Sequence, residues 1–284
     1  MNLEIIIWDV NHGNSTSIKL PNGNTMMMDC ASNPLTDFSP IHQTKRKWGY
    51  LDLLIVSHPH LDHIRDIFNI DDLKPDILLH PEVPFNQLRE GKYGESEEII
   101  EKYIDFISGF KPQENTQNAK SWGDEVEVSY FGLNGHQEDM NDYSLVTFVT
   151  YGSFTFAYAG DLTTNGWERL IKQEGSQFTN MLKNTNFFEV SHHGRKEGYN
   201  PIIFDHMTNL KMAFVSDKRL QSTSVTNSYS QYCEGWQIVN ENSDETDQRK
   251  VLTTRSDGRI KINVDVIGDT TEVGIRTLNH NGDY

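Results

Sequence analysis

The sequence predicts a mixed α/β fold in which side chains able to bind metal are collected at the ends of strands. Three observations predict it. Residues 51–56 (LDLLIV) stop at Ser57-His58-Pro59-His60-Leu61-Asp62-His63, residues 154–159 (FTFAYA) stop at Gly160-Asp161, and residues 186–190 (NFFEV) stop at Ser191-His192-His193-Gly194. Each is a short apolar run closed by polar residues or glycine, the pattern of a buried strand. The three tips come from both halves of the 284 residues, so a single domain over 1–284 is expected.

Taken along the chain, residues 1–7 read as a first strand; they are too short, and lack the basic leader, for a secretory signal. After the strand at 51–56, Ile64, Ile67 and Phe68 take up helical spacing. Residues 81–118 read as a helical insertion, because Ile99, Ile100, Tyr103, Ile104, Ile107 and Phe110 recur at helical spacing with Glu97, Glu98, Glu101 and Lys102 between them. That helix is expected to pack on the core, and Phe85 and Tyr93 read as structural aromatics. Trp167 to Ile171 predict a helix outside the second sheet, and the polar stretch 240–248 predicts an exposed loop.

The first tip carries the chemistry. On an extended segment His58 and His60 fall on one face, so two imidazoles can grip one ion. Asp62 and His63 follow where the chain turns towards a helix, face another direction, and can hold a second ion. Only 11 of 284 residues are histidine, so this density is not a product of composition, and a solvated loop after a strand does not account for it. Imidazole with carboxylate suits zinc, and manganese or iron where oxygen donors are added. Asp161 at its strand end can bridge two ions, and either His192 or His193 can complete the second ion's shell. Alone, a Gly-Asp or His-His-Gly is weak, since turns commonly take this form. In this order, each at a strand end, the three support one another.

This order and spacing resembles the metallo-β-lactamase superfamily over nearly the whole chain. The closer likeness is to hydrolases related to the metallo-domain of ComEC competence proteins and to phosphorylcholine esterases. Trp8-Asp9-Val10-Asn11-His12-Gly13-Asn14-Ser15 resembles the DVGQGDS opening of that branch. Leu20-Pro21-Asn22-Gly23 with Met28-Asp29-Cys30 is similar to its PNG hairpin and LIDGG turn. Asn141-Asp142-Tyr143-Ser144-Leu145-Val146 resembles its NDNSLV strand, Ser191-His192-His193-Gly194 its PHHGS, and residues 252–260 its closing hairpin.

The resemblance implies a four-layer αββα sandwich with metals in a cleft along one edge, and a dinuclear metal-dependent hydrolase. It places His58 and His60 on the first ion, Asp62, His63 and one of the histidine pair on the second, and Asp161 between them. It favours His193 as the ligand and His192 as a group contacting substrate, an order the residues themselves leave open. Asp62, Asp161 and His192 are then the expected catalytic groups. Two divalent ions, zinc first and manganese second, are the implied cofactors.

Three departures bear on this. Asn11-His12-Gly13-Asn14 replaces Gly-Gln-Gly-Asp, and Cys30-Ala31 replaces two glycines, where Cβ atoms restrict positive φ. The third concerns the first ion, which in many members takes another histidine; His136, Asn141 or Asp142 is a candidate here, or none. An open, weaker first site is expected.

Two ions roughly 3.5–4 Å apart acidify a shared water and clamp the attacking and leaving oxygens of a phosphoester. Hydrolysis by a metal-bridged hydroxide is therefore the expected chemistry, with His192 or Lys196 offsetting developing negative charge. Lys196 reads more readily as a solvated loop cation.

Composition narrows the substrate. The net charge is −16, and affinity for nucleic acid rests on lysine and arginine neutralising phosphates, so long polyanions are disfavoured. Lys45-Arg46-Lys47 and Arg195-Lys196 are the local basic clusters, the first read as an exposed loop. A small phosphoester or short nucleic acid is the expected substrate, with protein partners unspecified. A small carbon ester, lactone, amide or phosphorylcholine-type ester is the alternative, and a non-catalytic metal-binding partner protein the second alternative. Hydrophobic residues are 36% of the chain and mean hydropathy is −0.60, and no run approaches a membrane span. Cys30 and Cys233 are too few for a disulfide framework, and a cytoplasmic, membrane-free protein is expected.

Overall fold

Strands β1 (Leu3–Ile7), β2 (Thr16–Lys19) and β3 (Thr25–Met28) pair antiparallel in turn, and β4 (Leu51–Ile55) and β5 (Pro75–Leu79) continue the sheet in parallel. A second sheet starts with β6 (Val126–Phe131), β7 (Val146–Tyr151) and β8 (Phe154–Tyr158), antiparallel. It continues with β9 (Phe187–Glu189), β10 (Met212–Val215) and β11 (Val251–Thr253), parallel. The chain then returns to the first sheet as β12 (Arg259–Ile267), beside β1, and β13 (Thr270–Leu278). This computed structural model describes every residue except 1, 37, 112–121, 124, 219–223, 241, 243, 247, 269 and 279–284.

Alternation along the strands builds three apolar interfaces. Leu3, Ile5 and Ile7 face inward with Met26, Met28, Leu53 and Ile55, and meet Phe154, Phe156, Tyr158, Phe187 and Phe214 of the other sheet. On the outer face of the first sheet, Met27, Leu54 and Val56 pack against Ile41 of α1 (Pro40–Trp48), Ile64 of α2 (Leu61–Ile64) and Ile99, Ile100, Tyr103 and Ile104 of α4 (Glu95–Gly109). A short α3 (Phe85–Arg89) precedes α4. Outside the second sheet, Phe148, Ala157 and Phe188 pack against Trp167 and Leu170 of α5 (Thr164–Glu174) and Phe178 and Leu182 of α6 (Ser176–Asn184). The result is helix, sheet, sheet, helix: the αββα sandwich that the motifs imply.

Several local expectations are corrected. Lys45-Arg46-Lys47 is the last turn of α1 and no loop, because Ser39 caps the helix at His42 N, Pro40 opens it and Gly49 closes it in the left-handed region. Lys45 pairs with Asp72 and Lys47 with Glu4, away from the metal-ligand segment. After α2 the chain tightens into a 3-10 helix, Arg65–Asp72, which breaks the 3.6 period and leaves Phe68 exposed. In the 81–118 insertion, α4 forms part of the outer helical layer; residues 112–118 lie outside the described residues. Among the described residues, no helix is long and apolar enough to cross a membrane.

The parallel strands position the site. β3 and β4 of one sheet, and β8 and β9 of the other, all end at the same edge of the sandwich. Polar residues that follow them therefore converge where two sheets open, as ligand sites do at the carboxyl ends of parallel strands.

Candidate metal centre

His58, His60, Asp62 and His63 follow β4, Asp161 follows β8 and His193 follows β9. One donor atom from each of Asp62, His63, Asp161 and His193 lies within 4.8 Å of the other three. His193 Nε2 is 3.2 Å from Asp62 Oδ2 and 3.6 Å from Asp161 Oδ2, and His63 Nε2 is 3.2 Å from Asp161 Oδ1.

The two imidazoles are aimed from behind. His193 Nδ1 donates to the Ser216 carbonyl at 2.8 Å, and His63 Nδ1 donates to Asp29, so each ring presents its Nε2 inward. Both Nε2 atoms and Asp161 Oδ1 are buried without a hydrogen-bond partner. Buried polar atoms are rarely left so. Three orphaned donor atoms of imidazole and carboxylate type facing one point fit a divalent ion.

Asp29 organises the rear of this side. Its carboxylate accepts from Ser57 N and Ser57 Oγ, both at 2.6 Å, and from His63 Nδ1 and Tyr158 Oη. These bonds hold Asp29 in the left-handed region, φ 56°, a conformation that otherwise costs a non-glycine residue. Neither Cys30 nor Ala31 has positive φ, so the replacement of two glycines there carries no backbone penalty. The conformational demand falls instead on Asn11, Asp29 and Gly13. Gly13 has φ +142°, and a Cβ there would sit 2.4 Å from the Asp62 carbonyl oxygen. Asn14 N bonds that same oxygen at 3.0 Å.

His58 and His60 form a separate pair beside this set. Ser57 gives its only hydroxyl proton to Asp29, so its oxygen accepts from His58 Nδ1 at 3.2 Å, and His58 Nε2 is left facing His60 Nδ1 at 3.0 Å. The His58 and His63 rings lie 4.1 Å apart, which joins the pair to the other four. Two of the three proposed third partners are engaged elsewhere. Asp142 accepts from Thr163 Oγ1 and Arg169, and His136 Nδ1 bonds Tyr143 Oη. Asn141 Oδ1 is buried without a partner, and no contact brings it to either histidine.

Electrostatics follow the same division. Burial would depress the His63 imidazole, but Asp161 and Asp29 outweigh it and hold it well above the usual histidine range. Burial would raise Asp161, yet His193 and His63 pull it well below the carboxylate range; Asp62 is drawn down likewise by His193 and His63. His58 is pushed well down by burial, then by His63 and His60. One side is thus a set of charge-paired donors, and the other holds neutral imidazole.

His192 has φ 52° and ψ 46°, and His193 follows at φ 52° and ψ 31°. This turn points His193 inward and leaves His192 Nε2 4.0 Å from Asp161 Oδ2, with its Nδ1 buried and unpartnered. Lys196 is exposed. Two side chains near the centre had no assigned role in the sequence: His12, with Nε2 3.2 Å from Asp62 Oδ2, and Asp29. For Asp29 the available signal was its place directly after an apolar strand, as with the ligands. For His12 it was the departure from glutamine.

A family model described as "Metallo-beta-lactamase superfamily" matches residues 8–202, most of the chain. The chain belongs to the metallo-beta-lactamase superfamily. The match is to the superfamily as a whole and does not distinguish a branch. Among solved structures, the chain is similar to the metallo-beta-lactamase fold protein YhfI from Bacillus subtilis, with 13% identity, 89% of this chain and 96% of that chain covered, and a TM-score of 0.49. It is also similar to a long form RNase Z from yeast, with 14% identity, 82% of this chain and 40% of that chain covered, and a TM-score of 0.39. No curated protein matches the chain significantly. As a superfamily member with a His/Asp cluster that fits a metal, the chain is a candidate metal-dependent hydrolase.

Proposed function

We propose that this protein is a dinuclear metal-dependent phosphodiesterase or nuclease acting on small phosphoesters or short nucleic acids in the cytoplasm. The observation that carries the reading is the adjacency of a buried four-donor set and a second imidazole pair, with Asp161 and the His63 ring at their junction. Asp62, His63, His193 and Asp161 would hold one ion, and His58, His60 and Asp161 the other, zinc first and manganese as competitor. When bound, the ions would lower the pKa of water and polarise the phosphoryl oxygens.

The chain's own residues do the rest. Asp29 and the Ser216 carbonyl fix which nitrogen each imidazole presents, and Ser57 does the same for His58. Asp161 is fixed in turn, its backbone N–H donating to Ser144 Oγ at 2.9 Å. His192, beside Asp161 with a free buried nitrogen, is placed to meet the substrate or its leaving oxygen. The phosphodiester preference is supported by the motif likeness to the ComEC branch, and the net charge of −16 favours short substrates.

The test is a panel of bis-p-nitrophenyl phosphate, short and long DNA and RNA, and a lactone, with zinc or manganese added. Turnover of the phosphodiester and short nucleic acids is expected. Turnover of the lactone with phosphodiesters untouched would replace this reading with that of a small-ester hydrolase.

A further inference from the structure

Arg195 stands at the rim of the candidate metal centre, and among the described residues it has no acidic partner. Its Nη2 lies 3.2 Å from His12 Nε2 and 3.4 Å from His12 Nδ1. An imidazole offers at most one acceptor nitrogen, so at most one of the two Nη2 hydrogens is spent on this ring. Its Nε is buried and has no hydrogen-bond partner. Nε and Nη2 share the side-on edge of a guanidinium, the edge that takes two oxygens of a phosphate or carboxylate at once.

The nearby carboxylates are already occupied. Asp217 accepts from Arg255 Nη1 at 3.2 Å and from Lys218 N at 2.8 Å, and it lies 3.8 Å from His12 Nδ1. Asp62 faces His193. His12 itself stands between Asp62, Asp217 and Arg195, its ring centroid 4.5 Å from that of His193. The Arg195 edge and the His12 ring therefore form one wall beside the His193 side of the centre. In a chain of net charge −16, an unpaired buried guanidinium donor at this position is costly unless an anion completes it.

We propose that Arg195 and His12 form an anion-binding wall that holds the non-bridging oxygens of a phosphoryl group at the metal centre, making the tetrahedral, charged phosphoryl group the feature by which substrate is recognised. The inference deepens the phosphodiesterase reading and rests on it for the reaction, though not for the binding. Arg195 supplies the fork. His12, steadied by Asp217, supports the guanidinium and presents Nε2 towards the reacting side.

The test uses the metal-loaded full chain, with bis-p-nitrophenyl phosphate as substrate and inorganic phosphate as a calorimetric probe. Arg195→Gln is expected to raise KM and weaken phosphate binding tenfold or more, with metal content and Tm unchanged. Arg195→Lys recovers part of this, since charge returns without the fork. His12→Gln is expected to move KM in the same direction and gives a second variant should Arg195→Gln fold poorly. Unchanged KM and phosphate affinity in Arg195→Gln, or in His12→Gln should Arg195→Gln fold poorly, would overturn the wall. Loss of an equivalent of metal from His12→Gln would overturn it too, making His12 a ligand. If the wild type binds phosphate through Arg195 but hydrolyses no phosphodiester, the wall stands and the proposed reaction falls. If it hydrolyses phosphodiesters and Arg195→Gln is indifferent, only the wall falls.

Discussion

The four-donor side of the centre and the His58/His60 pair are built differently. Asp62 and His63 come from one sheet, Asp161 and His193 from the other, and His63, His193 and Asp161 each have a partner behind them. His58 and His60 sit two residues apart on one loop, and their hydrogen-bond support is one bond from His58 to Ser57 and the contact with each other, with the His63 ring packed against the buried His58. Ligands brought together from separate elements and held from behind are paid for in folding, before an ion arrives. On the proposed two-ion reading, an unequal pair of sites would follow, with the ion at His58/His60 the more easily lost.

The largest effect expected breaks the stronger side. His63→Ala or Asp161→Asn should abolish activity to background and remove the tightly held ion, as read by metal analysis after dialysis. His58→Ala with His60→Ala should keep that ion yet also lose activity, which separates the two sides. If both variants lose the same metal, the sites are not distinct.

A chelator titration sharpens the asymmetry. Activity is expected to vanish on release of the first equivalent and to return on adding zinc or manganese. Simultaneous release of both equivalents would show sites of equal strength.

Asp29→Asn probes the support and not the ligands. Losing the carboxylate behind His63 should weaken the tight ion by roughly 10–100-fold, measured by competition with a chromogenic chelator. An unchanged affinity would make Asp29 a structural residue only.

The smallest effect concerns the scaffold behind the ligand segment. Asp66 is buried and accepts from Ser39 Oγ, Ile41 N and Asn69 Nδ2; burial nevertheless raises its carboxyl from the ordinary 3.8 to about 6. The folded state therefore holds this proton more tightly than the unfolded chain. Its contribution to stability is fully present below about 4 and is lost as pH rises through about 6. Asp66→Asn should flatten that part of the Tm-versus-pH curve, and a curve of unchanged shape would contradict the assignment.

The candidate ligand cluster was legible because its information is local. Two histidines at i and i+2 after an apolar run, and an aspartate or histidine at the tip of another, carry their geometry in their spacing. The supports were not, because they span long separations or use no particular side chain. Arg195 meets His12 across 183 positions, and His193 is aimed by a backbone carbonyl that any residue at 216 would supply. The outer layers were read from period, which served for α4 and α5 but misplaced Phe68, where three residues per turn replace 3.6. At 45–47 the charge run drew attention from the Ser39-Pro40 start and Gly49 stop that mark a helix.

The metal-ligand segment is also stitched to its neighbours through the main chain: Asn14 N to Asp62 O, Cys30 N to His63 O and Asp66 N to Cys30 O. None of these main-chain bonds depends on which side chains stand at 62 and 63, although the His63 ring adds a side-chain tie to Asp29. Exchanging the carboxylate at 62 should leave the loop standing, whereas a carboxylate at 63 would face the buried Asp29 that His63 now bonds, so position 62 is the one at which the donor set can be re-tuned.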